Sequence, residues 1–361
     1  MKEKIFFVCI SLLNACSNAS FTNKDTSKRT GEPQRVEGAP EVRNPQSQPT
    51  TMPPVSIDAA GWPLDFLEAS CILKDGTLRT IRDDDDNQSA GNSCFLVDPS
   101  IDELSGMTSS YFSDGMVWVH NDSGPSTSLF ALNLKGELLA TLNSDTISNL
   151  DWEDIDTYYS VQLQKPFIYL GDIGDGGKNP GQVFIYIIEE PLINTANLGQ
   201  VVSSRNVRRI TLNYNSGEVY DFESLFVDPS NGDVYLFRKG APELYVALGS
   251  DILASDSVPL RQAIASGNWT RVPSAADISP LRNEIIIRDE TQAFLYTIQN
   301  GEPVALALSR NPIIINLAFE FNGEAISYSR DGRDFYTASE NKDSSLISQP
   351  ILVYSRNLLM P

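Results

Sequence analysis

Beyond residue 100, apolar side chains come in short alternating runs parted by Gly, Asn and Asp, and no stretch of convincing length repeats at the helical period. This pattern predicts an all-β chain. Within it a unit recurs. An acidic residue opens a short strand, a turn follows, and a strand rich in aromatic and β-branched residues ends in polar ones. The pairs are Glu103 with 116–122, Glu153 with 167–172, Glu223 with 234–239, Asp277 with 284–289, and Glu324 with 335–340. Asp114-Gly115, Asn231-Gly232 and Asp331-Gly332 mark the hairpin turns, since Gly takes the positive φ that tight turns need. A third strand follows each hairpin, at 128–132, 183–187, 243–247, 293–297 and 351–355, and a fourth is drawn in most units, as at 137–142 and 208–212.

Four-stranded antiparallel units at roughly 50-residue spacing read as blades of a β-propeller. The acidic openers are 50, 70, 54 and 47 residues apart, and the long interval has room for an insertion around 194–205. Five blades are counted, and a sixth could be built from 61–100. The last unit ends after its third strand, so 71–82 is expected to supply the fourth and close the ring, which removes exposed edges. A β-sandwich would also give short strands but not an acid recurring in phase.

The amino terminus reads differently. Met1 to Lys4 is charged and Ile5 to Leu13 is almost unbroken apolar sequence, too short for a transmembrane helix and suited to an export signal. Leu13-Asn14-Ala15-Cys16 resembles the lipobox of bacterial lipoproteins. That resemblance implies a signal peptide at 1–15, palmitate and related acyl chains on Cys16, and an outer-membrane lipoprotein on the periplasmic or cell-surface side. An ordinary secretory signal is the alternative. Residues 16–60 are rich in Ser, Thr, Pro, Gln and Asn, which predicts a disordered linker, and 61–361 would form the propeller. Cys71 and Cys94 are the thiols left to the folded part, and in an oxidising compartment they are expected to pair. The intervening run from Asp83 to Asn87 lacks the central Gly and terminal Glu of a calcium loop and reads as a solvated turn.

The chain has 361 residues and a net charge of -20. Residues 1–15 carry +1 and 16–60 are neutral, leaving -21 for 61–361. A nucleic-acid footprint is absent, and the field favours cations or ligands bound through them. In a propeller the five openers, Glu103, Glu153, Glu223, Asp277 and Glu324, should meet near one channel mouth. The rim would carry His120, Asn121, Asp122, Asp172, Asp175, Arg238, Lys239 and Arg288. Carboxylates gathered there must be protonated, paired or neutralised by a cation, and an all-oxygen set favours calcium. Alternatively, each acid accepts hydrogen bonds from neighbouring backbone amides and fixes blade registration. His120, the single histidine, is a candidate catalytic base or a structural residue at a strand end.

Glu103-x-Ser-Gly, Trp118-Val-His-Asn-Asp-Ser-Gly, Asp151-Trp-Glu-Asp-Ile, Gly171-Asp-Ile-Gly-Asp and Gly323-Glu-Ala-Ile-Ser-Tyr together resemble a group of secreted bacterial β-propeller proteins. That group is more distantly similar to phytase-like and esterase-like propellers. The resemblance covers roughly 100–345 and implies a propeller fold. Where the group usually has Asn after Gly-Asp-Ile-Gly-Asp, this chain has Gly176. Gly-x-Ser-x-Gly, His-Glu-x-x-His and Cys-x-x-Cys motifs are absent. Two functions follow: a tethered module binding a protein, glycan or small molecule at the propeller face, or a calcium-dependent lactonase-, esterase- or phytase-like hydrolase. Membrane contact is expected through the lipid anchor alone.

Overall fold

The computed structural model describes residues 69–73, 77–80, 94, 97–122, 127–194, 196–204, 206–340 and 350–355. The expected signal peptide at 1–15, Cys16, the expected linker at 16–60 and the acidic run at 83–87 lie outside the described residues.

Five sheets, each with four antiparallel strands at its heart, form a five-bladed β-propeller. Blade 1 holds Leu104–Ser109, Met116–Asn121, Ser128–Asn133 and Leu138–Asn143, and blade 2 holds Trp152–Ser160, Lys165–Asp172, Gln182–Glu189 and Val207–Asn213. Blade 3 follows with Phe222–Val227, Val234–Arg238, Leu244–Ala247 and Arg261–Ile264, and blade 4 with Ala275–Ile278, Glu284–Arg288, Gln292–Thr297 and Ile313–Asn316. Blade 5 takes Gly323–Tyr328, Phe335–Ser339 and Leu352–Tyr354 from the end of the chain. Its fourth strand is Ser70–Ile72, paired through Ser70 and Val353, and Leu78–Thr80 adds a fifth. Both ends of the domain therefore share one sheet, as 71–82 was expected to provide. The insertion after blade 2's third strand contributes Gln200–Ser203, which pairs in parallel with the outer strand of blade 1 and covers an edge that would otherwise be open.

Hydrophobic patterning explains the ring. The inner and second strands are buried almost throughout against neighbouring blades, the outer strands are partly exposed, and the five apolar clusters coincide with the five blade interfaces. Trp118 and Leu129 of blade 1 meet Trp152 and Leu170 of blade 2; Leu104 and Val119 of blade 1 meet Ala325 and Tyr336 of blade 5. The other three join blades 2 and 3, 3 and 4, and 4 and 5. The hairpin turns behave as their dipeptides require, with φ of 70°, 76° and 70° at Gly115, Gly232 and Gly332.

Cys71 and Cys94 form a disulfide in the blade 4–5 cluster, with Cα atoms 5.8 Å apart and a separation of 23 positions in sequence. Cross-linking a loop of this length restricts the unfolded chain and stabilises by about 3 kcal/mol. Cys71→Ser is therefore expected to lower unfolding stability by about that amount, read as a shifted urea midpoint. An unchanged midpoint would show that ring closure does not depend on the bridge.

Candidate functional site

The inner strands all start at one mouth of the channel and end at the other. In four blades pairing skips one residue as the inner strand begins, at Ser105, Glu153, Glu223 and Glu324. Such a bulge turns its extra residue out of the ladder. Blade 4 has no skip, and Ser274 stands in the corresponding place. Its Oγ donates to Gly323 O at 2.9 Å, just as Ser105 Oγ donates to Glu153 O at 2.8 Å. The opener position is thus Ser, Glu, Glu, Ser, Glu around the ring.

This register corrects the expected ring of five acids. Glu153, Glu223 and Glu324 line a common cavity of about 260 Å³ at the mouth, together with Ser105, Asp122, Asp151, Asp175, Asp221, Lys239, Asn322 and Glu340. Glu103 lies two residues before its bulge, and its side chain is not among those lining the cavity. Asp277 lies three residues past Ser274, at the opposite mouth. There its carboxylate accepts from the amides of Ile278 at 2.6 Å and Tyr328 at 2.7 Å, the registration role weighed against metal binding. Asp156 does the same for Thr157 and Val227, both at 2.6 Å.

Two groups of carboxylate oxygens converge within 4.8 Å: Asp122, Asp151 and Glu153, and Glu153, Asp221 and Glu223. Glu153 belongs to both. Sequence reasoning missed Asp151 and Asp221 as site residues. Their signal is an acid two positions before the opener, in Asp151-Trp-Glu153 and Asp221-Phe-Glu223.

The surrounding chain is shaped to present these acids. Asp172 Oδ1 accepts from Asp151 N at 2.8 Å and Leu150 N at 3.2 Å, so this rim acid clamps the loop that carries Asp151. Gly176 N donates to Asp151 Oδ2 at 2.7 Å. Gly174 explains the second glycine of the Gly-Asp-Ile-Gly-Asp run: a Cβ there would lie 2.2 Å from Glu153 Oε1 and 2.3 Å from Asp151 Oδ2.

Of the three expected basic rim residues, only Lys239 serves the mouth, donating to Glu223 Oε1 at 2.6 Å. Arg238 pairs with Glu243 at 2.9 Å and lies over the Tyr220 ring. Arg288 is fully buried, paired with Glu320 at 2.8 Å and donating to Ala325 O at 2.9 Å, because a long side chain at a blade interface must satisfy its charge inside.

His120 is also inside its blade rather than at the mouth. Its ring is completely buried, edge-on to Trp152 at 5.8 Å. Nδ1 donates to Asn121 O at 3.0 Å, and Nε2 has no hydrogen-bond partner. Gly106 leaves it room, since a Cβ at that position would meet Nε2 at 2.3 Å. Burial lowers the imidazole to about 4, so it is neutral. The half-buried neighbour Asn121 keeps an unpartnered Oδ1.

Electrostatics at the mouth follow from burial and crowding. Burial, then Glu223, Asp122, Asp151 and Asp221, hold Glu153 well above the usual carboxylate range. Burial and Asp221 push Glu223 up to about 8, partly offset by Lys239, and burial with Glu340 pushes Glu324 to about 7. Lys239 is raised even though burial opposes its charge, because Glu223 and Asp221 hold the proton. The folded chain therefore keeps protons on these carboxyls that the unfolded chain releases above the ordinary value of 4.5. The stability these carboxyls contribute to the cation-free protein is expected to be full below that value and to be lost as pH rises through about 7 to 8. Urea midpoints in chelator across that range would check the sign; a midpoint that climbs with pH contradicts it.

An all-carboxylate set with one lysine fits a hard divalent cation. It offers oxygen alone, which suits calcium, whereas a zinc site draws on thiolate or imidazole. Carboxylates this close must share protons or a cation to stay in one place.

No known protein family matches this chain, and no curated protein does either. Among solved structures, the RRP9 WD40 repeats align with a TM-score of 0.35 and 7% identity over 70% of this chain and 67% of theirs. U3-55K gives 0.34 and 8% over 70% and 67%. The Neurospora crassa Pan2 WD40 domain gives 0.32 and 8% over 84% of this chain and 69% of that one.

Proposed function

We propose that this chain is a binding module that uses calcium held at the channel mouth to capture a ligand on the propeller face. The observation that carries the reading is Glu153, shared by two carboxylate groups whose ligand atoms lie within 4.8 Å in a cavity of about 260 Å³. Asp122, Asp151, Glu153, Asp221 and Glu223 would hold the ion. When bound, it would neutralise their charge and offer its open side to an oxygen of the ligand. Lys239 would orient Glu223 and soften the field, and Glu324, Asn322 and Glu340 would border the ligand. Binding is favoured over hydrolysis because His120, the candidate base, is buried and neutral inside blade 1, leaving the mouth without an imidazole among the described residues.

Melting of the full chain in chelator and in calcium tests this reading. An ion present at about a hundred times its Kd stabilises by about 2.7 kcal/mol, so a clear rise in Tm is expected with calcium and a smaller one with magnesium, which tolerates irregular sites poorly. Identical melting in calcium and chelator would sink it.

Export belongs to the same proposal. The chain would be cleaved before Cys16, acylated there and held at the outer membrane by the 16–60 linker, as the secreted propeller group it resembles in sequence would be. Mass spectrometry of the mature N-terminus should find an acylated Cys16, and a free N-terminus beginning elsewhere would remove the anchor.

A further inference from the structure

The acidic mouth is ringed by apolar side chains. Glu153, Glu223 and Glu324 sit where inner strands begin, so the loops leading into those strands share their face. These loops expose Leu150 before blade 2, Val219 before blade 3, Val272 before blade 4, and Phe319 and Phe321 before blade 5. The two phenylalanines are 66% and 48% exposed. Between them Glu320 is buried and paired with the enclosed Arg288 at 2.8 Å. Pinning Glu320 inward turns both neighbours out. A buried ion pair thus holds two aromatic rings in water beside a carboxylate cluster, an arrangement that burial of apolar area alone would not maintain.

We propose that this face docks on an anionic phospholipid surface, with the cation at the mouth bridging protein carboxylates to lipid phosphates and the apolar collar entering the headgroup boundary. The inference rests on the cation reading above. Charge decides the partner: bare, the mouth repels an anionic surface, and with a divalent cation it presents open coordination to phosphate oxygen. Geometry decides for a surface over a single molecule, because the apolar side chains are spread over four loops of one face, and amphipathic insertion needs such a plane. The opposite face also exposes apolar residues, among them Leu281 and Leu306. Asp156 and Asp277, acids of its mouth, are committed to backbone amides, and among the described residues the groups of three carboxylates within ligating distance of one another lie at the first mouth.

The test uses the full chain carrying Cys16→Ser, so that no acyl anchor contributes. Sedimentation is measured with phosphatidylcholine vesicles, with and without phosphatidylglycerol, in calcium or chelator, beside calcium calorimetry on each protein. Calcium-dependent binding to the phosphatidylglycerol vesicles is expected. Phe319→Ser with Phe321→Ser should weaken it by roughly tenfold or more while leaving the calcium heat unchanged, and Leu281→Ser with Leu306→Ser should bind like the parent. Calcium heat without vesicle binding, or a phenylalanine variant that binds undiminished, overturns docking and leaves the cation site standing. Loss of both signals overturns both. If glycerol phosphate in solution binds as tightly as the vesicles, the ligand is a soluble phosphate and membrane docking is wrong.

Discussion

Glu153→Gln is expected to abolish tight calcium binding while leaving the chain folded and, in chelator, at least as stable as the parent. Glu153 is the carboxylate common to both groups at the mouth, so its loss leaves neither with three acids. A weakening of roughly a hundredfold or more is expected, on the scale by which ligand charge count tunes calcium affinity. The stability expectation has the opposite sign because Glu153 is buried and crowded by Glu223, Asp122, Asp151 and Asp221, all of which disfavour its charge. An amide of equal shape removes that repulsion. Calorimetry and urea melting on the same preparation separate the two effects. Equal calcium affinity in the variant would mean the ion binds elsewhere or not at all, and a large fall in stability would give Glu153 a structural role instead.

Asp154, its neighbour in sequence, is expected to behave the other way. It is fully buried on the channel axis, and its carboxyl receives Ile155 N at 2.8 Å, Leu225 N at 2.9 Å and Ala276 N at 3.2 Å. One side chain thus ties the inner strands of blades 2, 3 and 4. Burial holds its carboxyl well above the usual range, although those three amides pull the other way. Asp154→Ala leaves buried amides without an acceptor, at roughly 1–3 kcal/mol each, so a loss of about 4 kcal/mol is expected. Asp154→Asn keeps an acceptor oxygen and should cost roughly half as much. Calcium added to the alanine variant should not restore its midpoint. A variant that melts like the parent would show that backbone pairing alone fixes blade register.

Much of the ring was legible because strand length, turn dipeptides and the acidic opener repeat together. Blade number, the N-terminal closing strand and the bridge between Cys71 and Cys94 follow from those local signals. The site was only partly legible. Glu153, Glu223 and Glu324 share a bulge position, whereas Glu103 and Asp277 look like openers by spacing and are displaced from it by two and three residues. A one-residue bulge decides which way a side chain points, and neighbouring residues in the sequence do not announce it. Arg288 and His120 show the same limit. Arg288 ends its second strand and His120 is the last residue but one of its own, where a rim residue is expected, yet each takes the position paired with Ala275 or Gly106, which faces the interior. Asp154 passed unnoticed because its partners lie 71 and 122 residues away.

The most direct test of the calcium mouth is calorimetric titration of chelator-treated full-length protein with calcium at neutral pH, repeated in buffers of different ionisation enthalpy to count released protons. The account requires saturable binding with proton release, since Glu153, held well above the usual carboxylate range, and Glu223, held up to about 8, shed protons as the ion displaces them. Absence of saturable heat, or binding that releases no proton, would contradict it.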